Sequence, residues 1–235
     1  MRIVTWNCGG ALRNKLQQLQ SLNADVYIVQ ECEDPAVAFE DQAYREFARN
    51  YLWTGDLHYK GLGIFTKPEL HLELTDWPTR GLKHFLSARI NAEFDLVAMW
   101  AHKANSPTFG YIGQLWKYLQ FHIDKMQNVI LAGDLNSNVR WDKWDRWWNH
   151  SDVVRELDEA DIVSLYHLHR DVPQGSEPEP TFFLRKHADR GYHIDYIFAS
   201  RPIARTLNQL AIGETEIWLK YSDHLPVYVD LSLSE

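Results

Sequence analysis

Tyr221-Ser222-Asp223-His224-Leu225-Pro226-Val227 sets an acid and a base side by side in a short polar turn. A clean strand pattern, Val227-Tyr228-Val229-Asp230-Leu231, follows it. The same arrangement, polar groups at the end of an apolar run, recurs along the chain. Gly133-Asp134-Leu135-Asn136-Ser137-Asn138 follows Val129-Ile130-Leu131-Ala132; Asn7 follows Ile3-Val4-Thr5-Trp6; Glu31 follows Val26-Tyr27-Ile28-Val29-Gln30. Short apolar runs bounded by polar residues read as buried strands. A carboxylate ending such a run is unfavourable unless something compensates it. Four strand ends carrying oxygen and imidazole groups are the material of a divalent-metal phosphoryl-hydrolysis site on an α/β fold.

Further out, residues 2–6, Val26–Gln30, Gly61–Thr66, His71–Leu74, Phe85–Ile90, Phe94–Ala101, Val129–Ala132, Thr181–Leu184, His193–Ala199 and Val227–Leu233 read as strands. Leu12, Leu16, Leu19 and Leu22 recur at helical spacing, and helices are also predicted over residues 34–50, 110–125 and 151–160. Pro173–Pro180 reads as a loop rich in Pro, Glu and Gly. The helices do not alternate strictly with the strands. That argues against a doubly wound sheet and for two packed sheets with helices outside. No repeat, linker or low-complexity block divides the chain, so one domain spanning 1–235 is expected.

Lys and Arg number 24 against 32 Asp and Glu, a net charge of −8. Such a chain lacks the broad basic surface of a processive polyanion binder, although bound cations and local basic loops still admit phosphate ligands. Two cysteines, Cys8 and Cys32, are too few for a disulfide scaffold and read as small core residues beside Asn7 and Glu31. No leader-like segment precedes the first strand, and no apolar run reaches the ~18 residues of a membrane span. A cytoplasmic monomer without a membrane partner is the expectation.

Phosphodiester hydrolysis needs a cation on a phosphoryl oxygen, a base for water, and groups that stabilise the developing oxyanions. Glu31 is the leading cation ligand, with Asn7 as an uncharged oxygen donor and Asp223 as a second carboxylate; any one of them alone also reads as a turn cap. His224 is the candidate base. Asp195, interrupting the apolar strand His193-Ile194-Asp195-Tyr196-Ile197-Phe198, would orient it, and in isolation would read as an ion-pair partner of Arg190. Asp134 and Asn136 alternate about Leu135 and can share a face, Asp134 aligning or deprotonating the nucleophile and Asn136 donating to a phosphate oxygen. His102, after Leu96–Ala101, would protonate a leaving group or bind phosphate.

In order and spacing, Trp6-Asn7, Gln30-Glu31, Gly133-Asp134-Leu135-Asn136, Ile194-Asp195-Tyr196 and Ser222-Asp223-His224 resemble the endonuclease/exonuclease/phosphatase superfamily of deoxyribonuclease I-like and exonuclease III-like enzymes. The resemblance runs from Arg2 to Leu233. It implies a four-layer α/β/β/α sandwich of two mixed sheets flanked by helices, and a Mg²⁺- or Mn²⁺-dependent phosphoesterase. It places Asn7, Glu31 and Asp223 around the metal, Asp134 and Asn136 at nucleophile and phosphate, and Asp195 with His224 as the base dyad. His102 resembles the middle histidine of deoxyribonuclease I-like members. Alignment puts Lys60 where those members carry a supporting glutamate, which leaves that second pair without its carboxylate. Tyr111 is a further candidate near the phosphate.

Trp141, Trp144, Trp147 and Trp148 follow the Asp-Asn segment at helical spacing and read first as the buried stripe of a short helix. The interleaved Arg140, Lys143 and Arg146 keep a base-stacking platform in view. Arg185, in the basic stretch Arg185-Lys186-His187-Ala188-Asp189-Arg190, would grip a phosphate unless this is simply a solvated loop. His167 and His169 lack the further ligands of a zinc site. The leading expectation is a nuclease acting on DNA or RNA. A phosphatase or phosphodiesterase for an inositol or sugar phosphate is the alternative, and a binding module on a degenerate scaffold is the third.

Overall fold

The computed structural model describes residues 1–37, 41–103, 106 and 108–233. Strands β1 (Arg2–Asn7), β2 (Val26–Cys32), β3 (Tyr51–Leu57) and β4 (Lys60–Thr66) begin a first sheet. The chain then builds a second sheet from β5 (Leu72–Leu74), β6 (Phe85–Ile90), β7 (Phe94–Trp100), β8 (Val129–Asp134) and β9 (Ile162–Ser164). A two-stranded ribbon, β10 (Phe182–Phe183) with β11 (Gly191–Tyr192), precedes β12 (Asp195–Ser200), which joins the second sheet. Finally β13 (Leu207–Ile212) and β14 (Val227–Leu231) return to the first. The sheets run β13-β14-β1-β2-β4-β3 and β5-β6-β7-β8-β12-β9. Each has one parallel pair at its centre, β1 with β2 and β7 with β8, among antiparallel neighbours.

Strand alternation explains the layering. Ile3, Val26 and Ile28 point into the core between the sheets, where they meet Ala88, Leu96, Ala98, Ile130, Ala132 and Ile197 of the second sheet. Their neighbours Val4, Trp6, Tyr27 and Val29 point outward, under α1 (Leu16–Gln20) and α2 (Gln42–Phe47). On the far side, Val97, Met99, Leu131 and Phe198 pack beneath α3 (Ile112–His122) and α4 (His150–Glu159). Strands covered on both faces carry unbroken apolar runs, which is why these read so plainly from sequence. The result is the expected four-layer α/β/β/α sandwich. Three short helices, α5 (Leu165–Arg170), α6 (Arg201–Ala204) and α7 (Thr215–Trp218), complete it. Among the described residues no helix is long and apolar enough to cross a membrane.

Two expectations change. The helix over 34–50 shrinks to α2, because Asp41 caps its start by accepting the Tyr44 N–H at 2.9 Å; Phe39 lies outside the described residues. The tryptophan stripe is not helical. Only a 3-10 turn, Val139–Trp141, forms there, and α4 begins at His150. Asp142 and Asn149 bind backbone groups of the loop and helix start with their side chains, and this local bonding competes with helix formation.

Candidate active site

Register brings the polar strand ends together. Asp134 at the end of β8 lies opposite Asp195 at the start of antiparallel β12, and opposite Trp100 of parallel β7. Two buried carboxylates facing each other across a ladder repel strongly unless a cation or proton lies between them. His224 is that group. Its Nδ1 lies 2.9 Å from Asp195 Oδ2, and its Nε2 lies 3.9 Å from Asp134 Oδ2. All three side chains are almost fully buried. Burial alone would discharge the imidazole, but Asp195 and Asp134 together push its pKa up to about 9. Burial pushes the Asp134 carboxyl up to about 7 against the pull of His224.

Each member is pinned. The Trp6 indole N–H donates to the His224 carbonyl at 3.0 Å, and the His224 amide donates to Ser222 Oγ at 3.1 Å. Ser222 in turn donates to the Asn7 carbonyl. Phe182 packs its ring 4.7 Å from the imidazole. Asp195 Oδ2 accepts the Thr181 hydroxyl at 2.7 Å, and that hydroxyl oxygen accepts the amides of Ile194 and Asp195. Thr181 was not singled out from the sequence. An uncharged residue between a proline and two phenylalanines gives no signal; only the fold reveals its three bonds.

Asp134 Oδ1 accepts the Asn136 amide at 2.8 Å, and Oδ2 accepts the side-chain amides of Asn136 and Asn7 at 2.9 and 3.0 Å. Asn136 also donates to the Ala101 carbonyl. The turn that aims Asp134 depends on Gly133. A Cβ there would fall 1.7 Å from the Met99 carbonyl oxygen, at a φ of +153° open to few side chains.

Asn7 reaches the second acid as well, donating to Glu31 Oε1 at 3.4 Å while its oxygen accepts the Gly9 N–H. Glu31 sits at φ +61°, where the β2–β4 register slips between Gln30 and Cys32. Such a bulge re-aims a side chain. A left-handed glutamate persists only where its surroundings enforce it. Glu31 Oε2 meets the Lys60 ammonium at 2.9 Å, so the lysine read at that position pairs with the candidate metal ligand. Lys60 also lies over the Trp100 ring. His102 stands beside it, its ring 5.1 Å from Trp100 and 5.6 Å from His84. Partial burial and the Lys60 charge hold His102 below its ordinary pKa.

Asn7, Glu31, Asp134, Asn136, Asp195 and His224 therefore converge. Asp223 lies on the neighbouring rim, its Oδ1 3.4 Å from Ser222 Oγ and its carbonyl accepting the Phe183 amide. Tyr111 touches His102 through its backbone amide, and its side chain is half exposed. Arg185 lies exposed in the loop after β10, at φ +56°. His167 and His169 form no metal pair: His167 bonds to Glu177, and His169 is exposed. Cys8 and Cys32 are buried and free; burial pushes the Cys8 thiol up to about 12, which keeps it unreactive.

Asp134, Asp195 and His224 offer ligand atoms within 4.8 Å of one another, a set able to hold a metal ion. Glu31, Asp223 and Asn7 carry oxygen atoms of the hard kind that Mg²⁺ and Mn²⁺ prefer.

No curated protein sequence matches the chain. Solved structures do match it in shape. A 3'-5' exonuclease from Neisseria meningitidis superposes with a TM-score of 0.70 at 21% identity, over 99% of this chain and 100% of that one. A 3' phosphatase from Neisseria bound to a product DNA hairpin gives the same values. An AP endonuclease from Archaeoglobus fulgidus gives 0.72 at 20% identity, over 99% and 100%. These likenesses concern the fold. The sequence itself matches a family model over residues 4–224, a stretch holding every strand end described above, and by that match the chain belongs to the Endonuclease/Exonuclease/phosphatase family.

Proposed function

We propose that the protein is a divalent-metal-dependent phosphodiesterase that hydrolyses phosphodiester bonds of nucleic acid. The observation that carries this reading is the His224 imidazole fixed between Asp195 and Asp134, on the same rim as Glu31. Asp195 holds Nδ1, so Nε2 faces Asp134 across 3.9 Å. That gap is too long for a direct hydrogen bond and suits a water bonded to both groups. The Asp134 carboxylate, held beside the charged His224, takes the water's proton as the water attacks phosphorus. Asn7 and Asn136 keep Asp134 aimed at it. Lys60 and His102 line the adjacent rim, where an ammonium and an imidazole can meet a phosphate or leaving-group oxygen. Glu31, Asp223 and Asn7 would hold the cation, which when bound neutralises phosphoryl charge and acidifies water. The nuclease and DNA-phosphatase descriptions of the fold neighbours support nucleic acid as the substrate class.

The test is gel-based cleavage of supercoiled plasmid, single-stranded DNA and single-stranded RNA with Mg²⁺, Mn²⁺ or EDTA. Cleavage that requires metal and falls at least ~100-fold in Asp195→Asn, His224→Ala and Glu31→Ala is expected. Full turnover in Asp195→Asn or His224→Ala would sink the mechanism. Inertness towards all three polymers, with phosphate released from inositol or sugar phosphates, would overturn the substrate class.

A further inference from the structure

Trp141, Trp144 and Trp147 are left outside the molecule, at 44%, 98% and 63% exposure. Large indoles in contact with water are the usual mark of a recognition surface. The loop that carries them is firmly braced. Asn149 accepts the Lys143 amide and donates to the Lys143 and Arg146 carbonyls. Asp142 accepts the first two amides of α4. Trp148 turns inward against Phe109, over Gly113, where a Cβ would meet it at 2.9 Å. The three outer indoles thus ride on a fixed base.

The loop also leads to the catalytic centre. The Trp141 ring lies 5.3 Å from Tyr192, Tyr192 lies 6.5 Å from Phe182, and Phe182 lies 4.7 Å from His224. Its charge opposes that of the whole chain. Arg140, Lys143 and Arg146 outnumber Asp142 and Asp145, and Asp142 is engaged with α4, so a cationic excess remains on a molecule of net charge −8. Alternating indoles and cations next to a phosphodiester site suit a ligand with flat apolar faces spaced along an anionic backbone. Paired bases hide those faces; unpaired bases offer them.

We propose that Trp141, Trp144 and Trp147 form a stacking platform for unpaired bases, and the DNA held by a fold neighbour points to a single DNA strand as its ligand. The proposal rests on the nucleic-acid reading above and narrows it. Each stacked base contributes about 1–3 kcal/mol, roughly five- to 150-fold in affinity.

The test measures binding and cleavage separately. Fluorescence anisotropy in EDTA follows a labelled 12-nucleotide single strand of DNA, a blunt DNA hairpin and an RNA strand of the same length. The expected result is tighter binding of the single DNA strand than of the hairpin, and quenching of tryptophan emission. Trp144→Ala with Trp147→Ala should weaken single-strand binding about tenfold or more, while Trp144→Phe with Trp147→Phe restores most of it. Equal losses on strand and hairpin, or no loss, would overturn the platform. A tenfold preference for RNA would overturn the choice of DNA. Self-association of the wild type that disappears in the alanine variant, with oligonucleotide affinity unchanged, would assign the loop to a second copy of the chain instead. Metal-dependent cleavage by the wild type, run in parallel, tests the nuclease reading by itself: cleavage without tryptophan-dependent binding rejects the platform alone.

Discussion

Replacing Thr181 by valine removes one buried oxygen and keeps the side chain's shape. That oxygen donates to Asp195 Oδ2 at 2.7 Å and accepts the Ile194 and Asp195 amides at 3.0 Å each. A hydrogen bond to a charged group contributes about 1.5–3 kcal/mol, and each buried amide left unpaired costs about 1–3 kcal/mol. Allowing for relaxation, Thr181→Val should lose about 3 kcal/mol of stability, a fall of roughly 6–12 °C in Tm for a domain of this size. The catalytic effect is separate. Freed of one donor, Asp195 holds His224 Nδ1 less rigidly, and 1.5–3 kcal/mol at the transition state corresponds to about 10- to 100-fold in kcat. KM should change little, because the hydroxyl faces Asp195 and not the rim. Calorimetry gives the first quantity. Initial rates on the preferred polymer, measured well below Tm, give the second. Thr181→Ser keeps the hydroxyl and should recover most of both. Turnover within twofold of wild type in the valine variant, or a serine variant as impaired as the valine, would refute the reasoning.

Three further outcomes follow from the structure. Lys60→Met removes the ammonium that a cation held by Glu31 would have to displace; for so exposed a pair the expected gain is modest, about two- to fivefold tighter Mn²⁺ binding by titration calorimetry, and weaker binding would show that Lys60 does not compete with the metal. Burial tends to raise the Glu177 carboxyl, but bonds from His167, the Gly175 amide and Asn138 outweigh it and hold the pKa at about 2. Relative to an ordinary 4.5 this contributes up to about 3 kcal/mol above pH ~4.5, lost as pH falls towards 2; urea titrations at pH 7, 4 and 3 should show that loss in the wild type and a flatter profile in Glu177→Gln. Gly133→Ala should cost about 4 kcal/mol or more, because Met99 and its strand must move; a soluble variant with wild-type Tm would contradict the assigned backbone.

The central strands, including those that form the two parallel pairs, were legible because each lies under cover on two faces and so carries an unbroken apolar run. The edges were not. β3 contains Gly55 and Asp56 and is only half buried, and β13 mixes Asn208 and Gln209 into its run. The candidate site residues were legible for a related reason: Asp134, Asp195 and Glu31 are charges placed where the surrounding pattern forbids them. Their supports were not, since Thr181, Trp6 and Ser222 look ordinary in a linear string and gain meaning only from partners up to 218 residues away. The tryptophan loop shows the limit of periodicity. Its spacing fits a helix, yet the Asn149–Asp152 pair, where the Asn149 amide donates to the Asp152 carboxylate, marks the helix start beyond it. That capping signature was present in the sequence and outweighed the stripe.

The site joins Asn7 to His224 through the Ser222 hydroxyl, and β1 lies between β2 and β14. β1 thus lacks its second neighbour until residues 227–231 arrive. A chain growing on the ribosome holds Asn7 and Glu31 long before Asp134 and Asp195, and gains the imidazole that bridges those two only at residue 224. On the proposed mechanism hydrolysis therefore waits for β14, and activity reports that the first sheet has closed.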